Sequence, residues 1–333
     1  MIRLKKIYEH ILRGFSFYLP FVIVGALLLQ FSELFDSSHA IYEILVRSSF
    51  YVFELSYIVL AGYIAYAISN KMAILPGFLA GIYVVRYDMG FLTALILGLI
   101  AGYIVKYLII LIKESPVWLR QTLTIVWVPL ISVLMIFLTS EVFTLFMPKV
   151  TQFNEQYIFD LPLAVIVVLS GLLAMLMAYD LGGPINKLAY MIALSTIGLG
   201  SSNVFVVSVM AGGMIPPLAL GIYHYIFKKR MDRMALQTRI KAVTSGIFFI
   251  SEGALPYYHT YKQKASIAVM IGSLFTGGLI AYEGISSNVI HGGLLMFWTT
   301  SKPMMYLLII SIGILMSNIL LLFFINDKKT MKK

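Results

Sequence analysis

The chain has 333 residues, of which 60% are hydrophobic and only 12% are charged. Soluble proteins carry about 25% charged residues, so this composition excludes an ordinary soluble domain and indicates a protein embedded in a lipid bilayer. Cysteine is absent, which excludes disulfide bonds, zinc–thiolate sites and a phosphate-carrying cysteine within the chain.

Ten apolar segments are candidates for membrane-spanning helices, because about 20 apolar residues cross a bilayer. The third and the seventh are the shortest of them. The segments are roughly 15–35, 49–69, 73–86, 90–112, 122–147, 159–179, 187–200, 203–227, 265–285 and 303–325. The sequence therefore predicts an all-α polytopic membrane protein.

The net charge of +10 is concentrated beside the predicted spans. Of the 25 Lys and Arg residues, four lie within 3–13, six within 228–241 and four within 328–333. Loops rich in Lys and Arg remain on the cytoplasmic side of a membrane, and ten crossings place all three regions there. Both termini are therefore predicted to be cytoplasmic. No patch combines basic residues with interleaved aromatic residues, so we expect no nucleic-acid partner.

Two further apolar pieces do not fit this count of crossings. They are 242–258, "AVTSGIFFISEGALPYY", and 286–299, "SSNVIHGGLLMFWT". Irregular backbone at membrane depth is tolerated only against protein or a water-filled cavity, and paired interrupted segments are typical of a transporter's binding site. We interpret both pieces as re-entrant hairpins.

A polar segment, "MAYDLGGPINKLAY" at 177–190, lies between two of the apolar runs. Its Gly-Gly-Pro breaks a helix, and broken helix ends expose amides and carbonyls that bind hydroxyl groups or anions. Asp180, Gly183, Asn186 and Lys187 are therefore candidate ligand-binding residues. An equally open interpretation is a cytosolic turn whose Asp and Lys cap neighbouring helices.

Glu252 lies in the apolar stretch "FFISEGALPYY" of the first hairpin. A carboxylate in that setting is costly in lipid and is expected to face a cavity or a partner. Because one carboxylate accepts hydrogen bonds from two hydroxyl groups, Glu252 suits a sugar ligand. The alternative is a salt bridge to Lys187 or Lys241.

The second hairpin contains Asn288 and His291 beside Gly-Gly. A ligand-binding role and a hydrogen bond between helices are both open for the histidine. No second histidine or carboxylate stands at metal-ligand spacing, so no metal site and no cofactor are predicted. Three other segments have a structural interpretation. Asn70 and Lys71 are typical of a short turn, and the small residues of "GLIAG" at 98–102 favour helix packing. The segment "GGMIPPLALG" at 212–221 predicts a kinked helix.

The chain carries no signature of an enzyme, such as a phosphate-binding glycine loop, a nucleophile elbow or His-Glu-x-x-His. The polar groups at depth are of types that bind hydroxyl groups, which indicates a transporter for a small polar solute. Two other functions are open: a facilitator or proton-coupled carrier with Glu252 as its proton site, and a non-transporting sensor that has the same fold.

The chain resembles the membrane-spanning IIC component of fructose-type sugar phosphotransferase systems. Seven segments, which follow the family order, carry this resemblance. They are "HILRGFSFYLPFVIVGALL" (10–28), "LAGYIAYAISNKMAILPGFLAG" (60–81), "MGFLTALILGLIAGY" (89–103), "AYDLGGPINKLAY" (178–190), "AGGMIPPLALG" (211–221), "ISEGALPY" (250–257) and "HGG" (291–293).

The resemblance implies a homodimer of ten-helix subunits with two re-entrant hairpins, located in a bacterial cell membrane. Residues 1–150 would form the scaffold and dimer interface, and residues 151–333 would carry the sugar. The hexose would be phosphorylated at the cytosolic face by a phosphocysteine on a separate IIB component, itself charged through IIA and the general phosphocarrier protein.

The resemblance places the sugar on the glutamate of the "EGALP" hairpin. The complete set of residues predicted for sugar binding is Glu252, His291, Asn186, Asp180, Lys187, Gly183 and Asn288. We further expect the exposed amides of the broken helix, together with Lys187, to stabilise the negative charge of the arriving phosphoryl group.

The chain departs from the family pattern in two places. The Glu-Gly-Ala motif continues into "YYHTYK" (257–262) instead of a small-residue run that ends in Asp-Pro, and Ile290 replaces the usual proline before His-Gly-Gly. Because the additional aromatic rings are suited to stacking on a pyranose face, the resemblance leaves the identity of the hexose open.

Overall fold

The computed structural model describes residues 2–147, 161–196, 204–227, 231, 235–287 and 289–325. These ranges contain twelve α-helices and no β-strand, which confirms the predicted all-α class. The helices are α1 (Ile2–Ser32), α2 (Ala40–Ser69), α3 (Ile74–Arg86), α4 (Gly90–Ile112), α5 (Val117–Thr122), α6 (Val128–Thr144), α7 (Leu163–Met177), α8 (Pro184–Leu194), α9 (Val204–Ile226), α10 (Leu236–Ile247), α11 (Leu255–Tyr282) and α12 (Pro303–Phe324).

Seven helical ranges in the described part of the chain are long and apolar enough to cross a membrane, and each of the ten predicted spans overlaps a helix. One range contains both the second and the third predicted spans. The seven are Leu4–Ser32, Ala40–Arg86, Gly90–Ile112, Val117–Thr144, Val204–Ile226, Lys264–Tyr282 and Pro303–Phe324. The chain is therefore a multi-pass membrane protein.

The seventh predicted span, 187–200, corresponds to the short helix α8. This helix has 11 residues, about 16 Å at 1.5 Å per residue, whereas the hydrocarbon layer is about 30 Å thick. Residues 197–200 lie outside the described ranges. In the described residues α8 is therefore a half-length helix that begins at the Gly-Gly-Pro break.

The described residues up to Met147 form one compact unit, and those from Leu161 onward form another. In the first unit α1 packs along α2, and α2 also packs against α3 and α4. Four buried rings from these helices interlock with centroids 5.4 to 6.5 Å apart. They belong to Phe15, Tyr18, Tyr57 and Phe91.

Two sequence predictions in the first unit are confirmed. A Cβ added at Gly98 would lie 2.8 Å from the Ala61 carbonyl oxygen, so the small residues of "GLIAG" allow α4 to approach the backbone of α2. Asn70 ends α2 with a φ of 56° and begins a 3₁₀ turn, Asn70–Ala73, in which Asn70 and Lys71 are exposed.

In the second unit, α9 is the central helix. Within its 18-residue apolar window, 94% of the residues are buried, because α7, α8, α10, α11 and α12 all pack against it. A helix buried on every side must be apolar around its whole circumference, and the composition of α9 meets this requirement.

Consecutive prolines inside α9 determine how its neighbours attach. Pro216 and Pro217 have no N–H group, so the helix cannot supply the usual donors to the carbonyls of Gly212 and Gly213, four residues earlier. Ser273 of α11 donates to the Gly212 carbonyl at 2.8 Å, and Ser251 donates to the Gly213 carbonyl at 3.0 Å. The "MIPP" sequence thus creates two acceptors that anchor other segments.

The first predicted hairpin is a helix–turn–helix in the structure. Helix α10 ends at Ile247, Phe249 turns the chain with a φ of 60°, and a 3₁₀ turn, Ser251–Ala254, leads into α11. One helix joins the end of the piece predicted as a hairpin (242–258) to the next predicted span (265–285). Helix α11 is continuous from Leu255 to Tyr282, because no glycine or proline interrupts its second to fourth turns.

The second predicted hairpin, 286–299, is a largely buried loop without α-helix in its described residues. Its ends are joined by a β-bridge between Ser287 and Thr300 and by a bond of 2.9 Å from the Ser301 amide to the Ser286 carbonyl. A 3₁₀ turn, Leu294–Trp298, forms the returning arm. The loop therefore leaves α11 and returns to α12 at nearly the same point.

We predict that Ser251→Ala lowers the free energy of unfolding by about 1 kcal/mol, because the buried Gly213 carbonyl loses its donor. Thermal unfolding of the detergent-purified chain, followed by circular dichroism, measures this loss. Ser311→Ala is the matched control, since the Ser311 hydroxyl is exposed and bonds only within its own helix.

A double-mutant cycle identifies the cause of that loss. Pro217→Ala restores an N–H group four residues after Gly213, so Ser251→Ala should cost less in this background than in the wild type. Strictly additive effects of the two substitutions would contradict the assigned role of the proline pair.

Candidate functional site

The start of α8 is held by Asp180. Its two carboxylate oxygens accept hydrogen bonds from the backbone amides of Ile185 (2.7 Å) and Asn186 (2.8 Å). Gly183 precedes the helix, and Pro184 supplies no N–H group. The structure thus shows the capping role for Asp180, and the expectation that this helix end presents exposed amides is wrong. The amides that would bind an anion already bind Asp180.

Adjacent glycines bring two carboxylates to the same turn. Gly182 has a φ of 93°, and a Cβ placed on it would lie 2.6 Å from Cγ of Glu252. A Cβ on Gly183 would collide with the Asp180 carboxylate. Gly182 is therefore the residue that lets Glu252 approach the Gly-Gly-Pro turn, whereas the predicted site residue Gly183 contacts Asp180.

Glu252 is exposed at the 3₁₀ turn between α10 and α11. Among the residues that the structure describes, its carboxylate has no hydrogen-bond donor, and no ion pair joins it to Lys187 or Lys241. The alternative of a salt bridge to either lysine is therefore wrong for this conformation. The carboxylate is available to an incoming donor.

Asn186 connects α8 to two other segments. It is buried, and its Nδ2 atom donates to the Met177 carbonyl at 2.6 Å and to the Ser251 hydroxyl at 3.4 Å. Ser251 in turn donates to Gly213 on α9. This series of bonds fixes the residue next to Glu252 against the ends of α7 and α8 and the middle of α9.

His291 is 6% exposed, and Tyr190 of α8 determines its proton arrangement. The Tyr190 hydroxyl donates to the Ile290 carbonyl at 2.5 Å and lies 3.0 Å from His291 Nδ1. A hydroxyl has one proton to donate, so we assign a proton to Nδ1, which then donates to the Tyr190 oxygen. In neutral His291 the acceptor nitrogen is then Nε2.

The two hairpin regions meet at an aromatic cluster formed by Tyr190, Phe249 and His291. The Phe249 ring lies edge-to-face against His291 at 5.1 Å and against Tyr190 at 5.8 Å, measured between centroids. Gly293 lies against the Ile247 carbonyl, where any side chain would collide. The loop that carries His291 is thus packed directly onto the turn that carries Glu252.

The structure brings most of the predicted sugar-binding residues together within the second unit. Asp180, Gly183, Asn186 and Glu252 surround the Gly-Gly-Pro turn, and Tyr190 links the same helix to His291. The Lys187 side chain is partly buried on the first turn of α8. Asn288 lies outside the described residues.

Three residues of this arrangement were missed by the sequence predictions. They are Tyr190, Phe249 and Ser251. Tyr190 could have been predicted, because it follows Asn186 by four residues and so lies on the same face of α8. Nothing local marks Ser251 or Phe249, whose partners are distant in the sequence.

The chain is similar to several fructose transport proteins over most of its length. The fructose permease IIC component of Bacillus amyloliquefaciens is 31% identical over 79% of this chain and 86% of that protein. The PTS system fructose-specific EIIABC component of Bacillus subtilis (strain 168) is 30% identical over 94% of this chain. The fructose-like permease IIC component 2 of Escherichia coli (strain K12) is 26% identical over 93% of this chain and 88% of that protein.

The extent of these alignments differs between the relatives. The matched region is 51% of the Bacillus subtilis protein, so the chain spans about half of that relative and most of the other two. No family model matches the chain. The 31% identity to a protein of similar extent, together with the all-α membrane fold, shows that the chain belongs to the fructose permease IIC family of the sugar phosphotransferase system.

Proposed function

We propose that this chain is the permease of a sugar phosphotransferase system and carries a fructose-like hexose to the cytosolic face of the membrane. There the hexose is phosphorylated by a separate IIB component, which receives its phosphoryl group through IIA and the general phosphocarrier protein. Family membership supports this function, as does the name of the Bacillus subtilis relative, which combines A, B and C components.

The observation that carries the proposal is the position of the Glu252 carboxylate. It is exposed on a turn that is otherwise fixed by hydrogen bonds, beside the helix break and the loop of His291. An ionised carboxylate accepts hydrogen bonds and donates none, and a sugar offers several hydroxyl donors. Glu252 is an acceptor suited to these hydroxyl groups, and His291, in the loop packed against the same turn, is kept as a second sugar ligand on sequence grounds.

The remaining predicted residues have different roles in this proposal. Asp180 and Asn186 hold the turn in place through the bonds described above, so they act on the sugar through Glu252. Gly183 leaves room for the Asp180 carboxylate, and Asn288 is kept as a sugar ligand on sequence grounds. Because Asp180 occupies the amides of α8, Lys187 is the group that stabilises the arriving phosphoryl charge.

We further propose that two such chains form a homodimer in the bacterial plasma membrane, with both termini in the cytoplasm. Residues 1–150 serve as scaffold and dimer interface, and residues 151–333 carry the sugar. The concentration of Lys and Arg near both ends and within 228–241 supports this orientation.

Vesicles that contain the purified chain test the function as a whole. Hexose phosphate should accumulate inside vesicles only when a phosphorylated IIB component is present on the cytosolic side. Equal net sugar uptake without IIB would favour a facilitator and contradict the proposal.

Glu252→Gln is expected to weaken hexose binding about tenfold or more, because the amide is uncharged and has one acceptor oxygen instead of two. Equilibrium binding of radiolabelled fructose, and then of a panel of hexoses, measures the effect in detergent. Glu114→Gln is the matched control, since it removes the same charge from an exposed turn of the first unit. Unchanged affinity in Glu252→Gln, with the dimer intact, would refute the site assignment.

Lys187→Gln should leave hexose affinity within about twofold of the wild type but slow phosphorylation about tenfold or more, because the cation acts on the phosphoryl charge. Sugar binding and single-turnover phosphorylation by IIB are measured separately. The exposed Lys71 provides the control variant Lys71→Gln. Equal phosphorylation rates for wild type and Lys187→Gln would refute the role of Lys187 in stabilising the phosphoryl charge.

Tyr190→Phe removes the hydroxyl that fixes the proton on His291 Nδ1, while the ring keeps its contact with Phe249. We expect hexose affinity to fall about fivefold to tenfold, with little change in the unfolding temperature. Tyr179→Phe, an exposed position on the same segment, is the control. The role of Tyr190 would be excluded if both variants bound hexose as tightly as the wild type.

A further inference from the structure

One buried cation in the second unit has no role in the sugar site. Arg239 lies in the first turn of α10 and is 9% exposed. Its guanidinium carbon lies 4.7 Å from the centroid of the Tyr225 ring, so the ring covers one face of the charged group. The Nε and Nη1 atoms are buried and have no hydrogen-bond partner among the described residues.

This arrangement is unfavourable unless a ligand completes it. A guanidinium group keeps its charge at every physiological pH, and a buried charge without a counterion destabilises a protein. The contact with Tyr225 offsets part of that cost but leaves two donor nitrogens, Nε and Nη1, without acceptors among the described residues. The missing group must therefore be an acceptor and is most favourable as an anion.

The neighbours of Arg239 are suited to an oxyanion. His224 Nδ1 and the Tyr257 hydroxyl are 2.9 Å apart, both side chains are buried, and both interact electrostatically with Arg239. No acidic residue in the described part of the chain pairs with Arg239. We call Arg239, His224, Tyr225 and Tyr257 the Arg239 cluster.

Three helices build this cluster at the N-terminal end of α10. His224 and Tyr225 come from the last turn of α9, and Tyr257 comes from the first turn of α11. The positive end of the α10 dipole adds to the charge of Arg239 and favours an anion. The adjoining segment, 228–234, belongs to the region that the charge pattern assigns to the cytoplasmic side.

We propose that the Arg239 cluster binds a phosphate group, either as inorganic phosphate or as a phosphate monoester. A phosphate carries up to two negative charges and several acceptor oxygens, which match a guanidinium with two unused donors beside an imidazole and a phenol.

The position of the cluster suggests which phosphate binds there, and this step rests on the proposed function. Arg239 precedes the end of α10 by eight residues, about 12 Å at 1.5 Å per residue, and the Glu252 turn follows that end. A hexose phosphate formed at the turn would meet the Arg239 cluster on its way toward the cytoplasmic side. The cluster therefore serves as the first binding site for the phosphorylated product.

The first experiment uses inorganic phosphate and requires no sugar. Phosphate should raise the unfolding temperature of the detergent-purified wild-type chain, and Arg239→Gln should weaken the apparent phosphate affinity about tenfold or more. Lys241→Gln is the matched control, because it removes the same charge from an exposed position two residues away on α10. This control should respond to phosphate like the wild type.

A second measurement separates ligand binding from a purely structural role. In buffer without multivalent anions, Arg239→Gln should unfold at the same temperature as the wild type or above it, because it removes an unpaired buried charge. A lower unfolding temperature for this variant, or equal phosphate responses in Arg239→Gln and wild type, would overturn the proposal.

Binding measurements with other phosphate ligands identify the source of the phosphate. Fructose 1-phosphate or fructose 6-phosphate should bind the wild type more tightly than inorganic phosphate if the cluster receives product. Equal affinities for fructose phosphate and inorganic phosphate would contradict the role of the cluster as a product site. If phosphatidylglycerol nanodiscs stabilise the chain and soluble phosphates do not, the cluster binds a lipid headgroup and the product role is overturned. A chain that binds phosphate through Arg239 but binds no hexose would instead refute the proposed function and leave the anion site in place.

Discussion

The second unit depends on two carbonyl groups that its central helix cannot satisfy by itself. Pro216 and Pro217 remove the donors for Gly212 and Gly213 from a helix that is buried on all sides, and a buried carbonyl without a donor is strongly unfavourable. Serine hydroxyls from α11 and from the turn before it supply the missing hydrogen bonds. Because Ser251 is adjacent to Glu252 and also accepts a bond from Asn186, satisfying α9 fixes the backbone of the candidate sugar site.

The electrostatics of the turn follow from the same construction. Asp180 neutralises the positive end of α8 by accepting its first free amides, so this helix end favours no further anion. Glu252 adds a second carboxylate beside Gly182. Such a turn suits a neutral polyol that donates hydrogen bonds, and it repels the same molecule once that molecule carries a phosphate. Under the proposed function, this repulsion favours product release, and the buried guanidinium of Arg239 offers a further favourable position for the new charge once the product has left Lys187.

The sequence was informative about features that depend on residues close together in the chain. Hydropathy summed over about 20 residues predicts the all-α membrane class, and acidic or amide side chains inside apolar runs mark Glu252, Asp180 and Asn186 as candidates. The sequence gives no indication of contacts between distant residues. The partners of the Gly213 and Gly212 carbonyls are 38 and 61 positions away, and Tyr190 and His291 are 101 positions apart. The continuity of α11 was not predicted, although residues 257–262 contain no helix-breaking residue.

Arg239 shows how a correct sequence rule can conceal a specific feature. The charge pattern counts it among six basic residues within 228–241 and explains all of them by membrane orientation. That rule requires a positive charge on the cytoplasmic side, but it gives no reason to bury one. Lys241 meets the requirement while exposed, whereas Arg239, two residues earlier on α10, is buried, and two of its nitrogens have no hydrogen-bond partner among the described residues. Topology does not account for the difference between these two cations; under the proposed phosphate site, the ligand of the buried cation accounts for it.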